Sequence, residues 1–340
     1  MITEGKKVFI IAEAGVNHNG QLGMAKRLID VAVSAGVDAV KFQTFQADRL
    51  VVKNAPKARY QKETTGSKET QWSMLKKLEL SHKHHVVLQE YCKRKKILFL
   101  STPFDEQSAS FLDDIGVPIF KIPSGEITNG PYLKYIAKFM KPVILSTGMA
   151  NMDEVSQAVS VIQATGNTQI SLLHCVSNYP AQAEQVNLKA MDTMAEKFKL
   201  PVGYSDHTIG VEISLAAVAR GARIIEKHFT LDKRLAGPDH RASLDGEELK
   251  ILVKGIRSIE KAIGNGIKQP HVSELETAMV VRKSLVAARR IEAGEIINED
   301  MLCIKRPGTG LSPYLKDAII GRKINCSLKA DQLLTKDMFD

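Results

Sequence analysis

Eight short apolar runs, each ending in polar side chains, constrain this sequence more than any other feature. They are Val8–Gly15, Ala39–Thr44, Ile97–Phe104, Pro118–Glu126, Pro142–Gly148, Ile170–Val176, Pro201–His207 and Arg223–Phe229. Short β-branched runs of this kind, separated by helical stretches, are the pattern of a parallel sheet covered by helices. The stretches Leu22–Ala35, Gln107–Leu112, Met152–Ala164 and Glu212–Arg220 repeat their apolar positions at three and four, as amphipathic helices do. Eight strands alternating with helices over roughly 260 residues predict an α/β fold of the closed (β/α)8 barrel type, a TIM barrel.

The polar ends favour a closed barrel over an open sheet. They are Glu13, Lys41 with Gln43, Ser101 with Thr102, Ser124 with Glu126, Ser146 with Thr147, His174, Ser205 with His207, and Lys227 with His228. In a parallel barrel all such ends gather at one rim, where active sites form. An open sheet would need them only near its switch point.

A chain of 340 residues exceeds such a barrel, so a second domain is expected. Gly264-Asn265-Gly266 and the polar stretch Lys268–Ala278 mark the boundary: barrel over 1–266, linker over 267–283, small β domain over 284–340. Within that last domain Ala293–Leu302 (AGEIINEDML) is echoed by Ala330–Phe339 (ADQLLTKDMF), which predicts internal pseudo-symmetry. Between strands two and three, Arg49–Thr70 is polar with few helix signals and reads as a flap over the barrel mouth, followed by a short helix over Gln71–Leu80. His82, His84 and His85 follow the N-cap candidate Ser81 and read as the solvated first turn of a helix.

Composition excludes several classes. Lysine and arginine exceed acids by 47 − 38 = 9, but the excess is spread along the chain without aromatic interleaving, so no nucleic-acid partner is expected. No apolar run approaches the ~20 residues of a membrane span. Cys92, Cys175, Cys303 and Cys326 form no CxxC pair, which fits a reducing compartment. The charged start leads directly into a strand with no apolar signal segment, so a cytoplasmic location is expected.

Two constellations carry the chemistry. His207 and His228 end neighbouring strands, about one strand spacing apart, where neutral imidazoles hold a divalent metal or simply hydrogen-bond. Lys41, Lys121 and Lys227 end three strands and imply an anion, with Thr102, Ser124 and Ser205 as hydroxyl donors; a phosphate fits. The plainer reading of those lysines is that they snorkel outward.

At this point the motifs AEAGVNHNG (Ala12–Gly20), VKFQT, STPF, KIPSGE, LSTGM, LLHC, GYSDHT, EKHFTLD and GPDH together resemble the sialic acid synthase family. KRPG at Lys305–Gly308 and IGRK at Ile320–Lys323 are similar to that family's C-terminal, antifreeze-like (SAF) domain. The resemblance implies a Mn2+ or Mg2+ site at His207 and His228. It implies phosphoenolpyruvate contacts from Lys41, Thr102, Lys121, Ser124, Ser177 and Ser205, and sugar contacts from Gln43, Tyr179, Glu126 and Asp239. Glu13 or Glu126 would handle the catalytic water, and Arg306 would reach in from the partner of a domain-swapped homodimer. At the phosphate, some relatives carry asparagine where this chain has Ser177. The implied reaction condenses phosphoenolpyruvate with open-chain N-acetylmannosamine and water to N-acetylneuraminate and phosphate by C–O cleavage. The alternative product is N,N'-diacetyllegionaminate, from a 2,4-diacetamido-trideoxy hexose. The rivals are a phosphoenolpyruvate-condensing barrel that makes another keto-sugar acid, a metal aldolase using pyruvate, and a protein that binds ice or carbohydrate through its tail while the barrel is inert.

Overall fold

The computed structural model of the protein describes residues 7–339; residues 1–6, most of the charged N-terminal stretch, and residue 340 lie outside them. Eight parallel strands form one sheet: β1 (Phe9–Gly15), β2 (Ala39–Thr44), β3 (Leu98–Pro103), β4 (Phe120–Ile122), β5 (Val143–Ser146), β6 (Ile170–Cys175), β7 (Val202–Asp206) and β8 (Ile224–His228). Their order is β3-β2-β1-β8-β7-β6-β5-β4, and β3 meets β4 across the remaining seam, closing the ring. The expected barrel is therefore found, with helices between the strands.

Side chains alternate across a strand, so every second residue points into the barrel. Ile11, Ala39, Leu100, Ile119, Ile144, Leu173 and Ile224 fill the interior as one apolar plug. Two residues further along, the inward positions become Glu13, Lys41, Thr102, Lys121, Ser146, Cys175 and Glu226, a polar ring resting on the plug. The opposite faces, including Ile10, Ala12, Val40, Phe42 and Ile225, pack in the larger core with the helices. Gly203 is the inward residue of β7 beneath Ser205. A Cβ there would lie 2.3 Å from the Ile224 carbonyl oxygen and 2.7 Å from Leu173 Cδ2, so Leu173 fills the space that a side chain would need.

The same alternation corrects one expectation. Lys227 lies between inward-facing Glu226 and His228, so it points away from the mouth and does not join Lys41 and Lys121. Its buried ammonium pairs with Asp206 at 3.0 Å and donates to the Thr208 carbonyl at 2.5 Å. His174 is likewise turned outward, with Nε2 2.6 Å from the Val186 carbonyl oxygen.

Helix ends follow local rules. Asn151 accepts from the amides of Asp153 and Glu154, Glu154 returns to the Asn151 amide, and Asp245 with Glu248 repeats this box. Other local expectations change. β4 stops at Ile122 because Pro123 has no amide hydrogen to extend the ladder, and Ser124–Glu126 becomes a 3-10 turn. The flap is not structureless: Arg59–Thr65 is a helix whose C-terminal end is held by Lys57, which donates to Thr65 Oγ1 at 2.8 Å and the Gly66 carbonyl at 3.0 Å. His85 is fully buried, not solvated, because His85, Leu88 and Cys92 form the inner face of the helix His82–Lys95. The stretch expected to be a plain linker contains the helix Leu275–Val281.

The chain divides into two compact units, Met1–Gly264 and Asn265–Asp340. In the second, strands β9 (Ser284–Ala287) and β10 (Leu302–Lys305) pair antiparallel. The expected internal echo is carried into the hydrogen bonding. Ile291 and Leu328, 37 positions apart, exchange both backbone bonds, at 3.0 and 2.8 Å. The Ala287 amide to the Gln332 carbonyl is matched by the Ile324 amide to the Glu295 carbonyl, each shifted by the same interval. Gly294 and Asp331, also related by it, both have positive φ. No helix of the described residues is long and apolar enough to cross a membrane.

Replacing Gly203 by alanine forces a methyl against backbone and Leu173, a cost of about 1–3 kcal/mol for overpacking. A clearly lower thermal midpoint is expected; an unchanged one would show slack in the plug.

Candidate active site

Strand register sets the centre of the site. Glu13 on β1 stands opposite Lys41 on β2 and opposite His228 on β8, so three functional groups share one level of the ring. Lys41 Nζ lies 2.7 Å from Glu13 Oε2, 2.9 Å from Thr102 Oγ1 and 3.6 Å from Glu226 Oε2. Glu226 Oε1 accepts from Ser205 Oγ at 2.9 Å and faces Lys121 Nζ at 3.4 Å. All of these side chains are buried.

Burial and charge push the two carboxyls apart. Burial raises Glu13 to about 7, with Lys41 opposing and Glu226 assisting. Burial also acts to raise Glu226, but Lys121 and Lys41 outweigh it and hold the group at about 2. Lys41 is raised because Glu13 and Glu226 overcome its burial, whereas burial lowers Lys121 despite Glu226. One carboxylate is thus fixed as an anion while the other stands near neutrality, a division that assigns different tasks to similar groups. Two ammonium groups facing one fixed carboxylate leave the floor cationic and suited to an anion.

A cradle adjoins this floor. The Gly148 amide donates to Ser124 Oγ at 2.9 Å. A Cβ on Gly148 would come 2.3 Å from Ser177 Oγ and 2.8 Å from Ser124 Oγ, so only glycine lets the two hydroxyls converge. Ser146 Oγ is buried with no hydrogen-bond partner among the described residues. Ser124, Ser146 and Ser177, together with Lys121 and Ser205, line one side of a cleft of about 410 Å³. That volume lies in the usual range for small-molecule sites.

His207 and His228 face the same cleft with ring centroids 5.5 Å apart. His207 Nδ1 donates to the Val176 carbonyl at 2.6 Å, leaving the lone pair on Nε2, which accepts from the Tyr179 hydroxyl at 3.0 Å. His228 Nδ1 is buried without a hydrogen-bond partner. Burial, with His207 and Lys41 nearby, lowers His228 well below its ordinary value, so it stands as a neutral ring. Burial acts to lower His207, but Cys175 and the Val176 carbonyl raise it above its ordinary value, so it gives up a proton when a cation binds; with the orphaned nitrogen of His228 the pair then fits a divalent cation. Among the described residues no group of three or more His, Cys, Asp or Glu is placed to hold an ion alone. Water and substrate oxygens would complete such a shell.

The remaining expected residues fall as follows. Gln43 Nε2 lies 3.4 Å from Glu13 Oε1. Tyr179 stacks on His207 at 4.1 Å, and Asp239 Oδ2 lies 4.0 Å from His228 Nδ1 with its carboxyl raised to about 6 by burial. Glu126 does not line the cleft; its carboxylate accepts from Asn129 Nδ2 at 2.7 Å. Arg306 is an exposed residue of the second unit. Sequence reasoning missed Glu226, although its position two residues before His228 in a period-two strand marks it as inward. It also missed Gly148 as the floor of the cradle, and Tyr60, which stacks on Tyr179 at 5.0 Å.

Residues 28–268 match the NeuB family and residues 282–340 match the SAF domain. The chain is 53% identical to an N,N'-diacetyllegionaminic acid synthase of Campylobacter jejuni, over 97% of this chain and 99% of that protein. It is 50% identical to an N,N'-diacetyllegionaminic acid synthase of Legionella pneumophila, over 96% and 93%. Among solved structures it is similar to an N-acetylneuraminic acid (sialic acid) synthetase from Leptospira borgpetersenii in complex with citrate. The TM-score is 0.71 and the identity 40%, over 80% of this chain and 91% of that one.

Glu226→Gln keeps the Ser205 contact but removes the charge between two buried ammonium groups, and breaking such a buried pair costs about 3–5 kcal/mol. The variant should melt earlier and recover part of the loss in inorganic phosphate. An unchanged midpoint would show that the carboxylate does not balance these lysines.

Proposed function

The chain belongs to the NeuB family, and from that premise we propose that it makes N,N'-diacetyllegionaminate by joining phosphoenolpyruvate to a 2,4-diacetamido-trideoxy hexose. At the coarser level it is a nonulosonate synthase, an enzyme that forms a carbon–carbon bond with phosphoenolpyruvate as donor. The sequence reading put N-acetylmannosamine first. Two relatives at 53% and 50% identity, both named for the legionaminic product and matched over nearly their whole length, move the diacetamido sugar ahead of it. That observation carries the proposal.

The residues divide the work. Lys41, Thr102, Lys121 and Ser205, with the cradle of Ser124, Gly148 and Ser177, bind the phosphate and carboxylate of the donor. Gln43, Tyr179 and Asp239 hold the open-chain sugar so that its aldehyde carbon faces the donor methylene, an arrangement that replaces a bimolecular encounter. Mn2+ or Mg2+ held by His207 and His228 would supply Lewis-acid polarisation of the aldehyde oxygen. The methylene carbon bonds to the aldehyde carbon, whose oxygen takes up a proton to become a hydroxyl. Water then adds to the electron-deficient C2 and gives its proton to Glu13, whose position near neutrality suits a general base. The tetrahedral centre passes its hydroxyl proton to the departing phosphate, which leaves with the C–O electron pair, and the keto acid remains.

Arg306, in a KRPG turn, belongs to this scheme as a planar guanidinium that clamps the sugar from the partner of a domain-swapped dimer. Mixing Arg306→Ala chains with His228→Ala chains should restore activity through heterodimers. No recovery would favour capping within one chain.

A coupled phosphate-release assay over both sugars tests the main reading. The diacetamido sugar should exceed N-acetylmannosamine in kcat/KM by at least ~10-fold, about 1.4 kcal/mol of transition-state discrimination; the reverse order overturns the assignment. Glu13→Gln should lower kcat by at least ~10²-fold. Calorimetric Mn2+ binding should vanish in His207→Ala and survive in Glu13→Gln, and full turnover in a chelator would defeat the metal scheme.

A further inference from the structure

The cleft has two chemically different sides. The side above β4 to β7 is the polar cradle already described. The side above β1 to β3 is an apolar wall of Leu50, Val51, Met74, Leu75, Leu78 and Phe104. Met74 and Leu78, with Val16 and Phe45, form a hydrophobic cluster separate from the main core, and Leu50, Leu75 and Phe104 pack against it. The wall is preformed: Phe45 and Phe104 meet edge to face at 6.1 Å, the Ala47 amide donates to Glu79 Oε1 at 2.6 Å, and Trp72 Nε1 donates to Asp48 Oδ1 at 3.0 Å. Leu50, Val51 and Leu75 are only half-buried and line the cleft, so a ligand there covers apolar surface that the protein itself does not.

The donor's anionic groups belong to the cradle, and the aldehyde must lie between them and the imidazoles. The rest of an extended sugar then runs away from the cradle, toward the wall. We propose that Leu50, Val51 and Leu75 receive the methyl-bearing, deoxygenated end of the sugar, so that this site selects 6-deoxy over 6-hydroxy substrates. The inference rests on the nonulosonate-synthase reading of the same cleft. The side chains of Leu50, Val51 and Leu75 offer a hydroxyl no donor or acceptor, and Gln61 in the same cleft is engaged at both amide atoms: Gln71 Nε2 donates to Gln61 Oε1 at 3.3 Å, and Gln61 Nε2 donates to the Tyr60 hydroxyl at 3.3 Å. A hydroxyl placed against Leu50, Val51 and Leu75 gives up water without a replacement. Apolar pockets discriminate against an added hydroxyl by on the order of 10- to 100-fold.

The test compares N-acetylmannosamine with its 6-deoxy counterpart, two sugars differing by one oxygen, in the phosphate-release assay. The wild type should favour the 6-deoxy sugar in kcat/KM by about 10- to 100-fold. Leu75→Asn, and separately the nearly isosteric Val51→Thr, should move that ratio toward parity. Equal use of both sugars by the wild type overturns the proposal, and so does an undiminished preference in both variants. A wild type that prefers the 6-deoxy sugar yet uses N-acetylmannosamine better than the 2,4-diacetamido hexose would defeat the product assignment and leave the wall standing.

Discussion

Lys41 and Glu13 touch across the first two strands at 2.7 Å, nearly out of reach of solvent, and the rest of the site is arranged around that contact. An ion pair so deeply buried is weak evidence for stability, because desolvation of both charges opposes their attraction. Its value is in what it does to its neighbours. Glu226 is pulled down by the lysines and remains an anion, while Glu13 is lifted by burial to about 7. The protein thereby keeps a cationic floor suited to an anion and a carboxyl poised near neutrality, within a few ångströms of each other.

Most of the barrel is legible in the sequence because its cause is local and repeated. A strand that is apolar along its length and polar at its end can satisfy that pattern in one topology only if all such ends meet. What the linear string hid was parity. Lys227 sits beside His228 in the chain yet faces the other way, and Glu226 faces in; counting by twos from His228 separates them, counting polar residues does not. Pro123 shortened β4 for an equally local reason, the missing amide hydrogen.

The flap was harder to read because its order comes from one buried cation. Arg59–Thr65 shows little amphipathic repeat, but Lys57 closes the end of that helix and also pairs with Glu69 at 3.0 Å. His85 departs from the sequence expectation for a related reason. A histidine-rich turn looks solvated until the helix is seen to turn that ring inward, between the carbonyl oxygens of Ser81 and Gln43, at 3.0 and 3.2 Å. The two strand-end histidines proposed to hold a cation are visible in the sequence; the orphaned nitrogen on His228 and the Tyr179 hydroxyl on His207 are visible only in the fold.

Lys57 donates to Thr65 and Gly66 and pairs with Glu69, all within the excursion between β2 and β3. Such an insert carries part of its own scaffolding, and the rest comes from Met74 and Leu78 packing with Val16 and Phe45 beside the strand ends. The half-buried side chains it turns toward the cleft can therefore vary with less disturbance to the cylinder below than a change in a strand would cause, and a lineage that needs a differently decorated acceptor has a part to vary.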